Sequence, residues 1–238
     1  MNTLWPELAS RASIELSAAQ TELLDRYPDL LLAVNEHMNL TRITDRAAAE
    51  VQHIGDALTL LPFLPPGAHA IADVGTGGGV PGIPLAIVRP DAQVTLIEST
   101  KKKAAFLRET VAALALPNVS VDDRRAEQIG ARGKKTRESF DIVIARAVAT
   151  MIWLVEWCLP LTKKTGKMLA MKGPKGREEL AAISGRTLRF LGANDKPLVH
   201  AVLLPGTDER IIIQLDKVGH SDKRFPRDPT TAKGEPMS

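Results

Sequence analysis

Apolar residues recur at helical spacing over the first sixty residues of the chain. Leu23, Leu24, Leu30 and Leu31 follow the three- and four-residue steps of an amphipathic helix. Prolines and a glycine between positions 62 and 67 then end this region. The pattern predicts an N-terminal segment built only of helices.

From residue 70 onward, short apolar runs alternate with amphipathic stretches. The runs predict strands over 70–75, 93–98, 119–122, 140–145 and 167–172. The stretches predict helices over 82–88, 101–116, 151–161 and 178–191, with Gly185 as a weak point in the last. Strands that alternate with helices favour a parallel, doubly wound sheet. Two further runs, 197–204 and 210–216, flank a five-residue connection and predict a terminal antiparallel hairpin.

The chain of 238 residues is long enough for one well-buried α/β domain with a small addition. We divide it into an N-terminal helical extension over 1–66 packed on the core, an α/β domain over 67–218, and a tail over 219–238. The tail is rich in Lys, Arg, Pro and Gly, which predicts a basic, flexible segment.

Composition narrows the class of protein. No apolar run approaches the roughly 18 residues that a membrane helix needs. Pro6 and Glu7 stand where a signal peptide has its apolar core, so we expect a cytoplasmic protein without membrane contact. We also expect the protein to be a monomer. Cys158 is the single cysteine, which excludes an intrachain disulfide and a cysteine-based zinc cluster, and no metal site is predicted.

The net charge of the chain is +3, and the basic residues are concentrated in one segment. Residues 101–137 carry ten basic and four acidic side chains, a local excess of +6. Such a segment is either a solvated helix face or a surface that meets a polyanion.

A glycine-rich loop follows the first predicted strand. Asp73 is followed by four glycines within five residues, Gly75, Gly77, Gly78 and Gly79, which allow close approach of the backbone to a ligand. In an open α/β sheet, ligands bind at this edge. The spacing fits both a dinucleotide-binding pattern and a methyltransferase pattern, and a tight turn without a ligand is a third interpretation.

Glu98 lies at the end of the second strand, 23 residues after Gly75. A carboxylate there can accept hydrogen bonds from both ribose hydroxyls of an adenosine, which both classes of cofactor contain. A solvated acid at the end of the strand is the alternative interpretation. The Ala126-Glu127 pair after the third strand either borders an adenine or simply begins a helix.

The run from Asp73 to Pro90, with Pro81 and Pro84 beside the glycines, resembles the ribosomal RNA small-subunit methyltransferase G family, also called glucose-inhibited division protein B. Further matching segments are 39–41, 53–58, 103–107, 145–147, 171–173 and 223–227. The resemblance implies a class I methyltransferase fold, Rossmann-like, with a mostly parallel seven-stranded sheet. It also implies the cofactor S-adenosyl-L-methionine and transfer of a methyl group to N7 of a guanine, guanine 527 of 16S rRNA. The implied partner is 16S rRNA or the small ribosomal subunit.

The resemblance also implies individual cofactor contacts. Together with Asp73, Gly77 and Gly79 of the loop, the implied residues are Gly75, Val80, Glu98, Ser99, Thr100, Ala126, Glu127 and Arg146. The chain departs from the family pattern, which usually has Pro at Gly78, Asp at Glu98, and Asp-Ser where this chain has Asp56-Ala57.

Candidate contacts to RNA lie elsewhere. His53 and Asp56 are three residues apart on one helix face, and are either a structural pair or RNA contacts. Lys172 ends the fifth strand, where it either meets a phosphate or caps the strand. Arg224 and Arg227 of the tail are predicted phosphate contacts.

The absence of a catalytic base fits the expected chemistry. Guanine N7 has a free lone pair and no proton to lose, so methyl transfer needs alignment of nucleophile, methyl group and sulfur. Arg146 is expected to position cofactor or guanine, and a surface salt bridge is the alternative interpretation. Cys158 lies in an apolar helix and is predicted to be core. The residues themselves leave a small-molecule methyltransferase, an NAD-dependent Rossmann oxidoreductase and a non-enzymatic RNA-binding scaffold as alternatives.

Overall fold

A computed structural model describes residues 3–67, 69–228 and 231–232 of the chain. Its α-helices are α1 (Leu4–Ser10), α2 (Ala18–Met38), α3 (Arg46–Ala49), α4 (Asp56–Leu58), α5 (Gly82–Val88), α6 (Lys101–Ala113), α7 (Ala126–Ile129), α8 (Met151–Cys158), α9 (Gly176–Ala181) and α10 (Gly185–Phe190). A π-helical turn, Glu50–Gly55, joins α3 to α4, and a 3-10 turn spans Leu61–Phe63.

The strands are β1 (Ala70–Val74), β2 (Gln93–Ile97), β3 (Val119–Asp122), β4 (Phe140–Arg146), β5 (Thr162–Lys172), β6 (Leu198–Val202) and β7 (Arg210–Asp216). They form a seven-stranded sheet in the order β3-β2-β1-β4-β5-β7-β6. The β1–β4, β2–β3 and β4–β5 pairs are parallel, whereas β7 runs antiparallel to both β5 and β6. The predicted fold class, with its terminal antiparallel hairpin, is confirmed.

Two predicted elements differ in their extent. β5 begins at Thr162 instead of residue 167, because its first part carries the exposed polar residues 163–165 and lacks an apolar pattern. The helix predicted over 178–191 is two helices, since Ser184 caps a new helix at Gly185 by accepting a hydrogen bond from the Thr187 N–H at 3.2 Å.

The chain separates into two compact units. Of the described residues, the first unit comprises 3–67, 75–123 and 204–207, and the second comprises 69–74, 124–203, 208–228 and 231–232. This grouping crosses the predicted boundary at residue 66, because α2 hydrogen-bonds to later elements. Gln20 Nε2 donates to the Ile87 carbonyl at 3.1 Å, and Arg26 donates to the Ala113 carbonyl at 3.3 Å.

The core of the second unit lies along its strands. Val143, Ile144 and Ala145 of β4 are fully buried, as are Leu169 and Ala170 of β5. Strands covered on both faces need such continuous apolar runs, which is why the sequence revealed them. No helix of the described residues is long and apolar enough to cross a membrane.

Candidate functional site

The glycine loop of the first unit is joined to the end of β2 by backbone hydrogen bonds. The Gly75 and Thr76 N–H groups donate to the Ile97 carbonyl at 2.9 and 3.2 Å. Gly77 has a φ of +59°, a conformation that strongly favours glycine. The backbone therefore turns directly over the carboxyl end of β2.

Glu98 fastens this turn through its carboxylate. Oε2 accepts a hydrogen bond from the Gly77 N–H at 3.1 Å, and Oε1 accepts one from the Thr100 N–H at 2.7 Å. The residue is 7% exposed. The structure thus brings Gly77 and Thr100 together around one buried carboxylate.

The helix α2 supports the loop from behind. The Tyr27 hydroxyl donates to the Gly78 carbonyl at 2.7 Å in a buried contact. A Cβ on Gly78 would lie 2.6 Å from Leu31 Cδ1 of the same helix. The glycine at this position lets α2 pack directly against the loop.

These residues fit the adenosine part of S-adenosylmethionine. A Cβ on Gly77 would meet nothing closer than the Gly75 carbonyl oxygen at 4.0 Å, so the loop leaves open space on that side. The Glu98 carboxylate has about four lone-pair sites and uses two on backbone N–H groups, which leaves about two for hydroxyl donors.

The remaining predicted cofactor residues of the first unit are neighbours of the glycine loop and of Glu98 along the chain. Val80 is buried, and its N–H donates to the Thr76 carbonyl at 3.2 Å. Ser99 and Thr100 are exposed between Glu98 and the start of α6. Their part in cofactor binding stays a prediction.

In the second unit, Asp73 and Arg146 lie on neighbouring parallel strands. Asp73 of β1 is fully buried and pairs in register with Ile144, two residues before Arg146 at the end of β4. Ala126 is buried and Glu127 half-buried at the start of α7. Their contacts with a cofactor stay predictions.

Cys158 is core, as predicted. The residue is fully buried in α8, and this burial, with the nearby Asp73 carboxylate, raises the pKa of its thiol above the ordinary value. A buried thiol that holds its proton is not a nucleophile, so no covalent cysteine chemistry is available here.

His53 and Asp56 do not lie on an accessible surface. They are 3% and 5% exposed, and His53 Nε2 hydrogen-bonds to Thr41 Oγ1 at 3.0 Å. The Asn35 side-chain oxygen accepts from the Thr41 N–H at 2.8 Å, which completes a structural network. Of the two interpretations of the pair, the burial favours the structural one over RNA contact.

The side chain of Lys172 points into the second unit and not toward solvent. Its Nζ donates to the Ala149 carbonyl at 2.6 Å and to Glu179 Oε2 at 2.7 Å, and its side chain is 11% exposed. The expectation that it meets an RNA phosphate does not fit this placement, because its charge is neutralised inside the unit.

The described part of the tail is attached to the second unit. Arg227 forms an ion pair at 2.7 Å with Glu156 of α8, whose side chain is 1% exposed. Arg137 donates to the carbonyls of Ser221 and Phe225 at 2.9 and 2.6 Å. Residues 219–228 are therefore held in place, and Arg227 is not the free phosphate contact that was expected; residues 229–230 and 233–238 lie outside the described part.

Arg224 remains at the surface. Its side chain is 63% exposed and pairs with Asp222 at 2.9 Å, a contact that lowers the pKa of Asp222 to about 2. The guanidinium also lies 5.4 Å from the ring centroid of Phe190. An exposed arginine of this kind stays a predicted phosphate contact.

Two residues of these networks carried no signal in the sequence. Tyr27 continues the apolar stripe of α2, which predicts a core residue and gives no indication that its hydroxyl group contacts the glycine loop. Glu179 reads as a solvated helix acid, but it accepts a hydrogen bond from the Met151 N–H at 2.9 Å. Only the fold places these side chains beside their partners.

Comparison with known proteins identifies the family. The family model for rRNA small subunit methyltransferase G matches residues 20–201. A protein named ribosomal RNA small subunit methyltransferase G from Lactobacillus helveticus is 39% identical over 96% of this chain and 95% of its own length. One of the same name from Sorangium cellulosum is 43% identical over 92% of this chain and 89% of its own length.

Solved structures agree on the fold. Precorrin-6Y C5,15-methyltransferase from Geobacter metallireducens has a TM-score of 0.51 at 16% identity, covering 68% of this chain and 87% of that one. A variant of the 16S rRNA (adenine(1408)-N(1))-methyltransferase from Catenulisporales acidiphilia, with cosubstrate S-adenosylmethionine, has a TM-score of 0.50 at 15% identity, covering 65% and 87%. These likenesses show a shared methyltransferase fold.

The family decides between the classes that the glycine loop left open, because the family model and these relatives match most of the chain and are named as rRNA methyltransferases. The chain belongs to the rRNA small subunit methyltransferase G family.

Proposed function

We propose that this chain transfers the methyl group of S-adenosylmethionine to N7 of a guanine in 16S rRNA, at guanine 527. Membership of the family gives the enzyme class, the small-subunit rRNA and the methyl donor. The identity of the methylated atom and of the guanine is the finer part of the proposal, and rests on the resemblance.

The buried Glu98 carboxylate carries the assignment of the cofactor site. It joins the glycine loop to the end of β2 and retains acceptor sites for ribose hydroxyls. We assign Gly75, Gly77 and Glu98 to the adenosine part. When bound, S-adenosylmethionine supplies a methyl group on a positively charged sulfur.

The chemistry of guanine N7 fits the residues of this chain. The N7 lone pair attacks the methyl carbon, the carbon–sulfur bond breaks, and no proton must leave the ring. The enzyme therefore has to align nucleophile and methyl group, and positioning of this kind supplies up to about 7–11 kcal/mol of a barrier. The buried, protonated Cys158 fits this scheme, which uses no thiol nucleophile.

We propose that the enzyme acts as a monomer in the cytoplasm, where 16S rRNA and the small subunit are assembled. Size-exclusion chromatography with light scattering checks the first part: a stable dimer at assay concentrations would contradict it.

The proposal is tested with labelled cofactor and small subunits or 16S rRNA that lack 7-methylguanine. We expect label at a single guanine, located by chemical cleavage at 7-methylguanine followed by primer extension. Label on an exocyclic amine would refute the N7 assignment, and label at a different guanine would refute the assigned position. RNA binding without any transfer would favour the scaffold alternative.

A further inference from the structure

The connection between β4 and α8 has an unusual backbone for residues that are not glycine. Ala147 has a φ of +54°, in the left-handed region. Such a conformation is unfavourable for a residue that carries a side chain, and it persists only where the surroundings hold it. Ala147 and Val148 are exposed, and they follow Arg146 directly at the carboxyl end of β4.

One ion pair holds this connection at two points. Lys172 Nζ donates to the Ala149 carbonyl at 2.6 Å and to Glu179 Oε2 at 2.7 Å. The same Glu179 oxygen accepts a hydrogen bond from the Met151 N–H at 2.9 Å. The carbonyl before Thr150 and the N–H after it are thus tied to one carboxylate–ammonium pair.

Strand register and helix packing in the second unit bring Lys172 and Glu179 together. Met171 of β5 lies beside Arg146 of β4 in register, so Lys172 emerges next to the start of the connection. A Cβ on Gly176 would lie 2.6 Å from Lys172 Cβ, which shows that the start of α9 packs against the lysine stem. This close packing brings Glu179, one turn further along α9, onto the ammonium group.

We propose that Lys172 and Glu179 are positioning residues that hold residues 147–150 in the shape that receives the target guanine. This inference rests on the proposed function. At the carboxyl edge of a parallel sheet, a ligand meets the residues that follow the strands. Ala147 and Val148 present small apolar groups there, which suit the face of a purine ring.

The role differs from contact with RNA phosphates. Lys172 is 11% exposed at its side chain and its charge is matched by Glu179, so it offers little field to a polyanion. Its loss should therefore change the rate of methyl transfer and leave the electrostatic part of RNA affinity intact.

The test compares Lys172→Met, Lys172→Arg and Glu179→Gln in the full chain, with Lys175→Met as the matched control. Lys175 is an exposed lysine three residues from Lys172, and its loss removes the same charge without touching the connection. We measure kcat, the KM for 16S rRNA, and the salt dependence of RNA binding for each variant.

We expect Lys172→Met to lower kcat by about 10- to 100-fold, as small misplacements at a reacting centre do. The KM for RNA and the slope of log affinity against log salt should match those of Lys175→Met. Lys172→Arg, which keeps the donors, should recover part of the rate. Glu179→Gln keeps an acceptor for the Met151 N–H, and should be milder than Lys172→Met.

Two results of these kinetic and binding measurements would overturn the inference. Unchanged kcat in both Lys172→Met and Glu179→Gln would mean that the connection needs no such support. A salt slope that falls by about one unit in Lys172→Met alone would identify a phosphate contact.

Hydrogen exchange at the Met151 amide separates this inference from the proposed function. Exchange at Met151 could be faster in Lys172→Met than in the wild type while the wild-type protein methylates no guanine. That combination would confirm the pair as a support of the connection and refute the proposed function. Unchanged exchange would refute the support itself, whatever the activity.

Discussion

Replacing Glu98 by alanine is expected to weaken binding of S-adenosylmethionine and of its demethylated product. The carboxylate is 7% exposed and hydrogen-bonds to the Gly77 and Thr100 N–H groups at 3.1 and 2.7 Å. About two of its four lone-pair sites remain for ribose hydroxyls. Alanine removes those acceptors and also frees the loop.

The size of the effect follows from the hydrogen bonds that are lost. Hydrogen bonds to a charged group contribute about 1.5–3 kcal/mol each. Water that enters the vacated space recovers part of this, so we expect a net loss close to one such bond. Since about 1.4 kcal/mol corresponds to a factor of ten, the dissociation constant should rise about 10- to 100-fold.

Titration calorimetry of the folded variants measures the constant. Glu98→Asp is the matched control, because it keeps both oxygens, and it should stay nearer to the wild-type value than Glu98→Ala does. A melting curve without ligand checks that each variant is folded at the titration temperature.

An analogue of the demethylated product without ribose hydroxyls locates the cause. For this analogue the penalty of Glu98→Ala should largely disappear, because neither protein makes the hydroxyl contacts. An equal penalty for both ligands would show that Glu98 acts only by fastening the loop. An unchanged constant for the natural ligand would refute the assignment of Glu98 to the cofactor.

Three further predictions concern buried groups. Arg227→Met should destabilise the protein by about 3–5 kcal/mol in urea unfolding, since it leaves the buried Glu156 carboxylate without its cationic partner; an unchanged midpoint would contradict this. Burial lowers the pKa of Lys217 from 10.5 to about 8, so between these values the unfolded chain binds more protons and stability should rise with pH. Lys217→Met should remove that rise, and an identical pH profile in the variant would rule out this origin. Cys158 should react with a thiol reagent only in denaturant, and stoichiometric labelling of the native protein would disprove its burial.

Much of the fold could be predicted because hydrophobic periodicity is local. The β3 strand has the predicted bounds because Val119 and Val121 alternate with polar residues. The helix α5 spans the predicted residues because its apolar run is uninterrupted. β5 was predicted too short because its first part pairs through the backbone while its side chains are polar and exposed. Periodicity reports burial, and it does not report hydrogen bonding of the main chain.

The glycine loop and Glu98 were found in the sequence because spacing along a strand–loop–helix unit places them at one edge of the sheet. The resemblance to a family then named the cofactor and the RNA. Neither source indicated that the Glu98 carboxylate binds two backbone N–H groups, or that Tyr27 hydrogen-bonds to the Gly78 carbonyl.

The sequence by itself determined the order of the elements, the place of the glycine loop and the family. Only the tertiary structure decided which charged side chains face inward. Arg227 and Glu156 are separated by 71 residues, and Lys172 meets Glu179 only because α9 packs on the lysine stem. The sequence does not distinguish a charged residue that contacts solvent from one that contacts RNA or a buried partner. The reason is that the environment of the residue is formed by chain segments that come together only in the fold.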